Sequence, residues 1–251
     1  MEIVTVPCLS DNYAYLVKGP SGVVLIDAPE AAPIAAALDA RGWQLTDLLI
    51  THHHHDHVGG VEELRATFGC TVTGPRAEAE KMPPLDRTVQ GGDSFDAGGI
   101  GIDVIHVPGH TLGHVAFHMP EAVAVFTADS LMALGCGRIF EGTAPMMWDS
   151  LRKLAALPPE TMVCSGHEYT ASNAKFALTV EPRNEALILR SQDIAKARTE
   201  GRPTAACKLS EELATNPFLR PDSPEIRDLL GMETATDAEV FAEIRARKDR
   251  F

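Results

Sequence analysis

Apolar and polar positions change texture near residue 170, and that change divides the chain in two. Before it, short apolar runs are broken by turn chemistry. Residues 2–6 and 13–17 flank Ser10-Asp11-Asn12 and predict a hairpin, and Gly19-Pro20-Ser21-Gly22 turns into a strand over 23–26. The Ala-rich stretch 30–41, closed by Gly42, predicts a helix. The apolar run 45–50 predicts a buried strand, and the period of Val61, Leu64 and Phe68 predicts a helix over 58–68. Further strands are expected at 88–89, 102–107, 115–118, 122–127 and 161–164, with a helix over 145–157. After Tyr169 the pattern is helical over 171–180, 184–199, 210–214 and 237–250, with no convincing strand. Gly201-Arg202-Pro203 and Pro221-Asp222-Ser223-Pro224 read as loops. The expected organisation is a layered domain of strands and helices over 1–170 and a small helical domain over 171–251.

Composition narrows the class. A chain of 251 residues with 45% hydrophobic and 23% charged residues is ordinary for a water-soluble globular protein. No apolar run reaches the roughly 18 residues of a membrane helix. Met1-Glu2-Ile3-Val4 lacks a basic and apolar leader, so no secretory signal is expected. The five cysteines are odd in number and scattered, without a Cys-x-x-Cys, which fits free thiols in a reducing cytoplasm. A formal net charge of -13 argues against nucleic acid or an anionic membrane as the main partner. It also means that an anionic small substrate needs a local basic patch. The chain is expected to act as a monomer.

The candidate chemistry is concentrated in Thr51-His52-His53-His54-His55-Asp56-His57, followed by Val58-Gly59-Gly60. In an extended segment His52, His54 and Asp56 share one side, whereas His53 and His55 point the other way. His57 ends the run where the Gly pair begins. Imidazole and carboxylate suit zinc, iron or manganese. The run is internal, between a strand and a helix, unlike a purification tag. Three other predicted strands end alike: 102–107 runs into Gly109-His110, 122–127 into Asp129, and 161–164 into Gly166-His167. Singly, each is more often a turn histidine or a helix cap. Four strands delivering a ligand type at the carboxyl end make a metal constellation the better reading.

These segments, Thr-His-x-His-x-Asp-His, Gly-His-Thr-x-Gly-His, Thr-Ala-Asp-Ser and Gly-His-Glu-Tyr in that order, resemble the metallo-β-lactamase superfamily. Ser10-Asp11-Asn12-Tyr13, Gly135-Cys136-Gly137-Arg138, Glu141-Gly142-Thr143, Glu181-Pro182, Asn216-Pro217-Phe218-Leu219-Arg220 and the closing Lys248-Asp249-Arg250-Phe251 resemble, within it, the hydroxyacylglutathione hydrolase (glyoxalase II) family. The resemblance covers essentially the whole chain. It implies an α+β fold, an αββα sandwich followed by a small α-helical domain. It implies two divalent metal ions, with His52, His54 and His110 on one, Asp56, His57 and His167 on the other, and Asp129 bridging both with a hydroxide. His53, His55, His106, His114 and His118 have no ligand role in that scheme, although His114 could support His110.

The implied activity is hydrolysis of glutathione thioesters of 2-hydroxy acids, as in methylglyoxal detoxification, with Asp129 and Asp56 in the catalytic centre. The implied contacts to the glycine end of glutathione are Arg138, Tyr169, Arg245 and Lys248. Arg245 and Lys248 are three apart and share a helix face, with Arg247 off it. From the sequence alone that face reads more readily as a solvated, salt-bridged surface, and the resemblance reverses that reading. Phe140 stands where some family members carry Tyr, and Arg138 where others carry Lys, which keeps the charge but offers a planar fork. Cys136, between two glycines, is expected to be packed rather than nucleophilic. Three alternatives stay open at this point: a phosphodiesterase of the superfamily, a mononuclear iron enzyme acting on glutathione persulfide, and a metal buffer.

Overall fold

The computed structural model describes residues 1–251, which form two compact units: 1–106 with 113–128, and 107–112 with 129–251. No helix is long and apolar enough to cross a membrane.

The first unit opens with the expected hairpin, β1 (Glu2–Cys8) antiparallel to β2 (Asn12–Lys18), which is followed by β3 (Val23–Ile26). Helix α1 (Ala31–Asp39) leads to β4 (Leu45–Leu49), parallel to β3. Next come α2 (His55–Val58) and α3 (Val61–Phe68), then β5 (Thr71–Pro75) and β6 (Arg87–Val89), both continuing the parallel order. Ile34 and Leu38 of α1 and Val61 and Leu64 of α3 pack on Leu16, Leu25 and Leu48 of the sheet as one buried cluster. Parallel strands need crossovers, and here helices close them over one face of the sheet.

The second sheet of this unit is a meander of β7 (Ser94–Ala97), β8 (Ile100–His106), β9 (Val115–Met119) and β10 (Ala124–Ala128). In β8, Ile100, Ile102 and Val104 are buried and Gly101 and Asp103 exposed, the alternation of a sheet with one wet face. Every residue of β10 is buried, and its sequence is apolar but for Thr127. Tyr15 of β2 meets Phe126 of β10 with ring centroids 5.6 Å apart, which places the two sheets face to face.

The second unit begins with a tight hairpin, β11 (Leu131–Met132) and β12 (Gly135–Cys136). Helix α4 (Ala144–Ala155) follows, capped by Thr143, and then β13 (Met162–Ser165), α5 (Thr170–Val180) and α6 (Glu185–Thr199). The chain continues through β14 (Ala206–Lys208), α7 (Leu209–Thr215), α8 (Pro224–Leu230) and α9 (Asp237–Arg250). Helix α9 has the bounds the period predicts, because Thr236 and Glu239 form a capping box at its start.

Three expectations are corrected. The helical half does contain a strand: β14 pairs antiparallel with β13, Met162 opposite Lys208, and so short an element exists only through that distant partner. Pro221-Asp222-Ser223-Pro224 is only half loop, since Pro224 starts α8, where its fixed φ suits the first turn. The helix after the histidine run is two helices split at Gly59-Gly60. A side chain at Gly60 would come within 2.7 Å of the Ala31 nitrogen, so only glycine allows this close approach.

Candidate metal centre

Carboxyl ends of parallel strands carry the first unit's share of the chemistry. β3 ends at Asp27, β4 runs into Thr51 and His52, and the turn after β5 carries Glu78. The histidine run is extended only as far as His54, whose φ and ψ are -61° and 143°. His52 and His54 do fall on one side, with His52 Nε2 3.1 Å from His54 Nδ1. The strict alternation expected as far as Asp56 does not hold, because α2 starts at His55. Asp56 and His57 come together on a helical turn, His57 Nε2 lying 3.7 Å from Asp56 Oδ2. The ligand atoms of His52 and His57 also lie within 4.8 Å of each other.

Hydrogen bonds fix how these rings face. Asp27 is buried, with its Oδ1 accepting from the Thr51 backbone N–H at 2.8 Å and its Oδ2 from the Thr51 hydroxyl at 2.9 Å. The same Oδ2 accepts from His57 Nδ1 at 2.8 Å, so the neutral ring presents Nε2 as a lone pair toward Asp56. Thr51 Oγ1 has given its proton to Asp27, so at 3.0 Å from His52 Nδ1 it can only accept. His52 therefore also directs an Nε2 lone pair, toward His54. One buried carboxylate thus sets two tautomers, the arrangement that supports metal-ligating histidines.

Other side chains hold the loop. Asn12 Nδ2 donates to the Asp56 backbone carbonyl and to Asp56 Oδ2, at 3.1 and 3.0 Å. Glu78 Oε2 accepts from the His53 N–H and from its ring Nδ1, both at 2.8 Å, and Glu78 Oε1 from the Gly113 N–H. His53 is thereby an anchor, as its outward expected direction implies. His114 is buried and stacks on His52 with centroids 4.6 Å apart. His118 faces Asp103 at 3.9 Å, and burial lowers its pKa despite that carboxylate.

The second unit brings His110, Asp129 and His167 together. His110 Nε2 and His167 Nε2 each lie 3.3 Å from the same oxygen, Asp129 Oδ2. His110 Nδ1 donates to the Arg138 carbonyl at 2.8 Å, so Nε2 of the neutral ring is an acceptor facing an acceptor. That contact is repulsive unless a cation or an extra proton lies between them. The donor set, two imidazole nitrogens and a carboxylate, fits a divalent metal. Asp129 follows Ala128, whose φ of 40° is a left-handed conformation uncommon for a side-chain-bearing residue and turns the chain sharply at the end of β10.

The expected substrate residues also lie in this unit. Tyr169 is 41% exposed and stacks on the His167 ring, 4.8 Å between centroids. The Arg138 side chain is exposed, its Nε 3.7 Å from Asp249 Oδ1. Lys248 is half-buried, its Nζ over the rings of Phe176 and Phe251 at 5.3 and 5.2 Å. Arg245 is only 7% exposed and donates to the Cys136 carbonyl and to Asp249. Arg247, off that face as expected, pairs with Glu243. Phe140 is exposed and sits edge-on to His110 at 5.2 Å. All five cysteines are buried and free.

Asp27, Asn12 and Glu78 carry no role in the sequence reading. Asp27 was findable, since it ends an apolar strand just as the ligand segments do. Glu78 lies on a two-turn 3-10 segment with no local signature.

Comparison with known proteins places these groups. The family profile "Metallo-beta-lactamase superfamily" matches residues 9–167 and "Hydroxyacylglutathione hydrolase C-terminus" matches residues 168–251. The chain is 60% identical to the hydroxyacylglutathione hydrolase of Ruegeria pomeroyi, over all of this chain and 99% of that one. It is 54% identical to that of Rhizobium meliloti, over 97% and 96% of the two chains. Among solved structures, the BLEG-1 B3 metallo-beta-lactamase superposes with a TM-score of 0.69 at 21% identity, covering 87% of this chain and 100% of that one. TTHA1623 in a di-iron-bound form gives 0.63 at 28% identity with the same coverage. ETHE1 from Myxococcus xanthus gives 0.67 at 25% identity, over 99% and 98% of the chains. The expected α+β class is therefore met in the metallo-β-lactamase fold, and the chain belongs to the hydroxyacylglutathione hydrolase family of the metallo-β-lactamase superfamily.

Proposed function

We propose that the chain hydrolyses S-(2-hydroxyacyl)glutathione thioesters, such as S-lactoylglutathione, to glutathione and the 2-hydroxy carboxylate, and so serves methylglyoxal detoxification. Relatives at 54–60% identity, matched over nearly their whole length and named hydroxyacylglutathione hydrolases, support the substrate class. One observation carries the chemistry: the Nε2 atoms of His110 and His167 converge on a single Asp129 oxygen, and that of His110 is a lone pair, an arrangement that calls for a cation. The reading assigns His52, His54 and His110 to one ion, Asp56, His57 and His167 to a second, and Asp129 to both. The description of TTHA1623 as di-iron-bound supports a two-ion centre. Zinc is the ion proposed, and the same donors accept iron or manganese.

When bound, two divalent ions supply a water acidified to a pKa of about 7 and polarise the thioester carbonyl. The chain's own residues set the rest. Asp27 and the Arg138 carbonyl, by accepting from Nδ1, set the tautomers of His57 and His110 and aim their Nε2 atoms. Asp129 and Asp56 are the catalytic carboxylates, the latter held by Asn12. The leaving group is a thiolate whose acid has a pKa of about 8.5, so no dedicated general acid is required. Arg138, Tyr169, Arg245 and Lys248 form the glutathione-binding set, and Phe140 offers an apolar ring edge rather than a hydroxyl. Five buried free thiols support a reducing compartment, the cytoplasm.

S-Lactoylglutathione hydrolysis is to be assayed beside elemental analysis of the same metal-replete sample. The expectation is two metals per chain, and for Asp129→Ala a collapse of kcat with loss of metal. A metal-replete protein that leaves the thioester intact would refute the substrate. One fully occupied site with Asp56, His57 and His167 dispensable would refute the two-ion assignment.

A further inference from the structure

The hairpin of residues 131–138 leaves Asp129 behind and ends where the Arg138 carbonyl receives the His110 proton. Its backbone is held almost group by group. Asn216 Nδ2 donates to the Met132 and Gly135 carbonyls at 3.2 and 2.9 Å, and Asn173 Nδ2 to that of Ala133 at 3.0 Å. Glu212 accepts from the Leu134 N–H. Arg245 makes the contact nearest the metal ligands, its Nη1 donating to the Cys136 carbonyl at 2.9 Å.

Between that carbonyl and Arg138 lies only Gly137. Its N–H donates to Ser130 at 3.0 Å, and a Cβ there would fall 1.8 Å from the Asp129 carbonyl oxygen and 3.2 Å from His110 Nδ1. The segment is thus wedged against both ligand residues with no space for a side chain. Arg245 itself is poorly placed to be only a substrate contact. It is 7% exposed, its charge is met by Asp249 at 2.8 Å, and its guanidinium lies 5.2 Å from the centre of the Phe218 ring.

We propose that Arg245 is a positioning residue for the metal centre: by holding the Cys136 carbonyl it fixes the Cys136–Arg138 segment that sets the tautomer and direction of His110. This deepens the proposed function and rests on His110 being a metal ligand. Lys248, one turn on and without a carboxylate partner, is left as the tail's recruiting cation.

The test compares wild type, Arg245→Met, Arg245→Lys, Lys248→Met and a destabilised control, Ile226→Ala, a buried side chain of α8. Metal retention is measured by competition with a chelator, and kcat and KM are measured on lactoylglutathione and on a small neutral thioester. Arg245→Met is expected to lose metal at roughly tenfold lower chelator, within the range for groups supporting a metal ligand. Its kcat should fall on both substrates. Arg245→Lys, which can still donate to Cys136, should recover part of the retention. Lys248→Met should raise only KM for lactoylglutathione, and Ile226→Ala should retain metal like wild type. If Arg245→Met keeps its metal and loses only KM for lactoylglutathione, the positioning role is wrong while the metal centre stands. Metal loss in Ile226→Ala as large as in Arg245→Met would also overturn it, leaving a purely structural role. A wild-type chain that binds no metal would overturn the metal assignment beneath it.

Discussion

Asp27 Oδ2 accepts the Nδ1 proton of His57 at 2.8 Å while the rest of the same carboxylate holds Thr51, whose hydroxyl in turn accepts from His52. Two metal-ligand candidates therefore depend on a residue 25 and 30 positions upstream of them. Asp27→Ala should weaken metal binding roughly 10–100-fold, as loss of such supporting groups does. It should also cost about 1–3 kcal/mol, because the buried Thr51 N–H loses its acceptor. Asp27 has a φ of 55°, which Ala tolerates less well and which adds to the loss. Chelator competition and urea unfolding measure the two effects, and unchanged metal affinity would count against the tautomer argument.

Lys248 gives a pH prediction. Burial lowers its pKa from 10.5, and the neighbouring Arg245 lowers it further. A lysine is charged below its pKa, so the charge that attracts a substrate carboxylate disappears earlier on the alkaline side than for an ordinary lysine. KM for lactoylglutathione should rise with pH beginning below 10.5, and in Lys248→Arg that rise should be blunted. Lys248→Ala should raise KM roughly tenfold at neutral pH, for a charge-assisted contact of about 1.5 kcal/mol. Steady-state kinetics across pH decide it, and identical KM profiles for wild type and Lys248→Arg would exclude Lys248 as a recruiting cation.

Thiol reactivity should be silent in the native state. Burial and the nearby Glu30 push Cys8 up to about 12, and burial alone does the same for Cys164. Burial also raises Cys70, Cys136 and Cys207. A thiol reagent at pH 8 should modify none of the five until denaturant is added, and then all of them. Rapid native labelling of Cys136 would show that the loop held by Arg245 opens.

Glu181 ties three helical segments: its carboxylate accepts from Arg220 at 2.8 Å, Ser223 at 2.7 Å and Asn184 at 2.9 Å. Burial pushes its pKa up, but the Arg220, Asn184 and Ser223 hydrogen bonds outweigh this and leave it below 4.5. With the folded pKa depressed, its contribution is present above about 4.5 and lost as pH falls through the folded value. Glu181→Gln should cost about 3 kcal/mol at pH 7, near the low end for a broken buried pair because Arg220 is 29% exposed. In denaturant titrations the gap to wild type should close in acid. A constant gap would assign the loss to packing.

Much of the chain was legible as a string because its signals are local. The Thr51–His57 run, the apolar runs that stop at His110, Asp129 and His167, and the helical pattern over 237–250 are set by neighbouring residues. The family segments, equally local, point to the fold and to glutathione. Only the tertiary structure decided which strands exist where a run is too short to carry a period, as with β14, which is three residues long and made by its pairing with β13. It also replaced an even alternation through Asp56 by a helical turn, because Gly59 and Gly60 let the chain close onto Ala28–Ala31. And it separated Arg245 from Lys248. Helical spacing places both on one face, but whether a charge on that face meets solvent, a ring or a buried carbonyl 109 residues away depends on what packs there. That partner is recorded nowhere in the spacing itself.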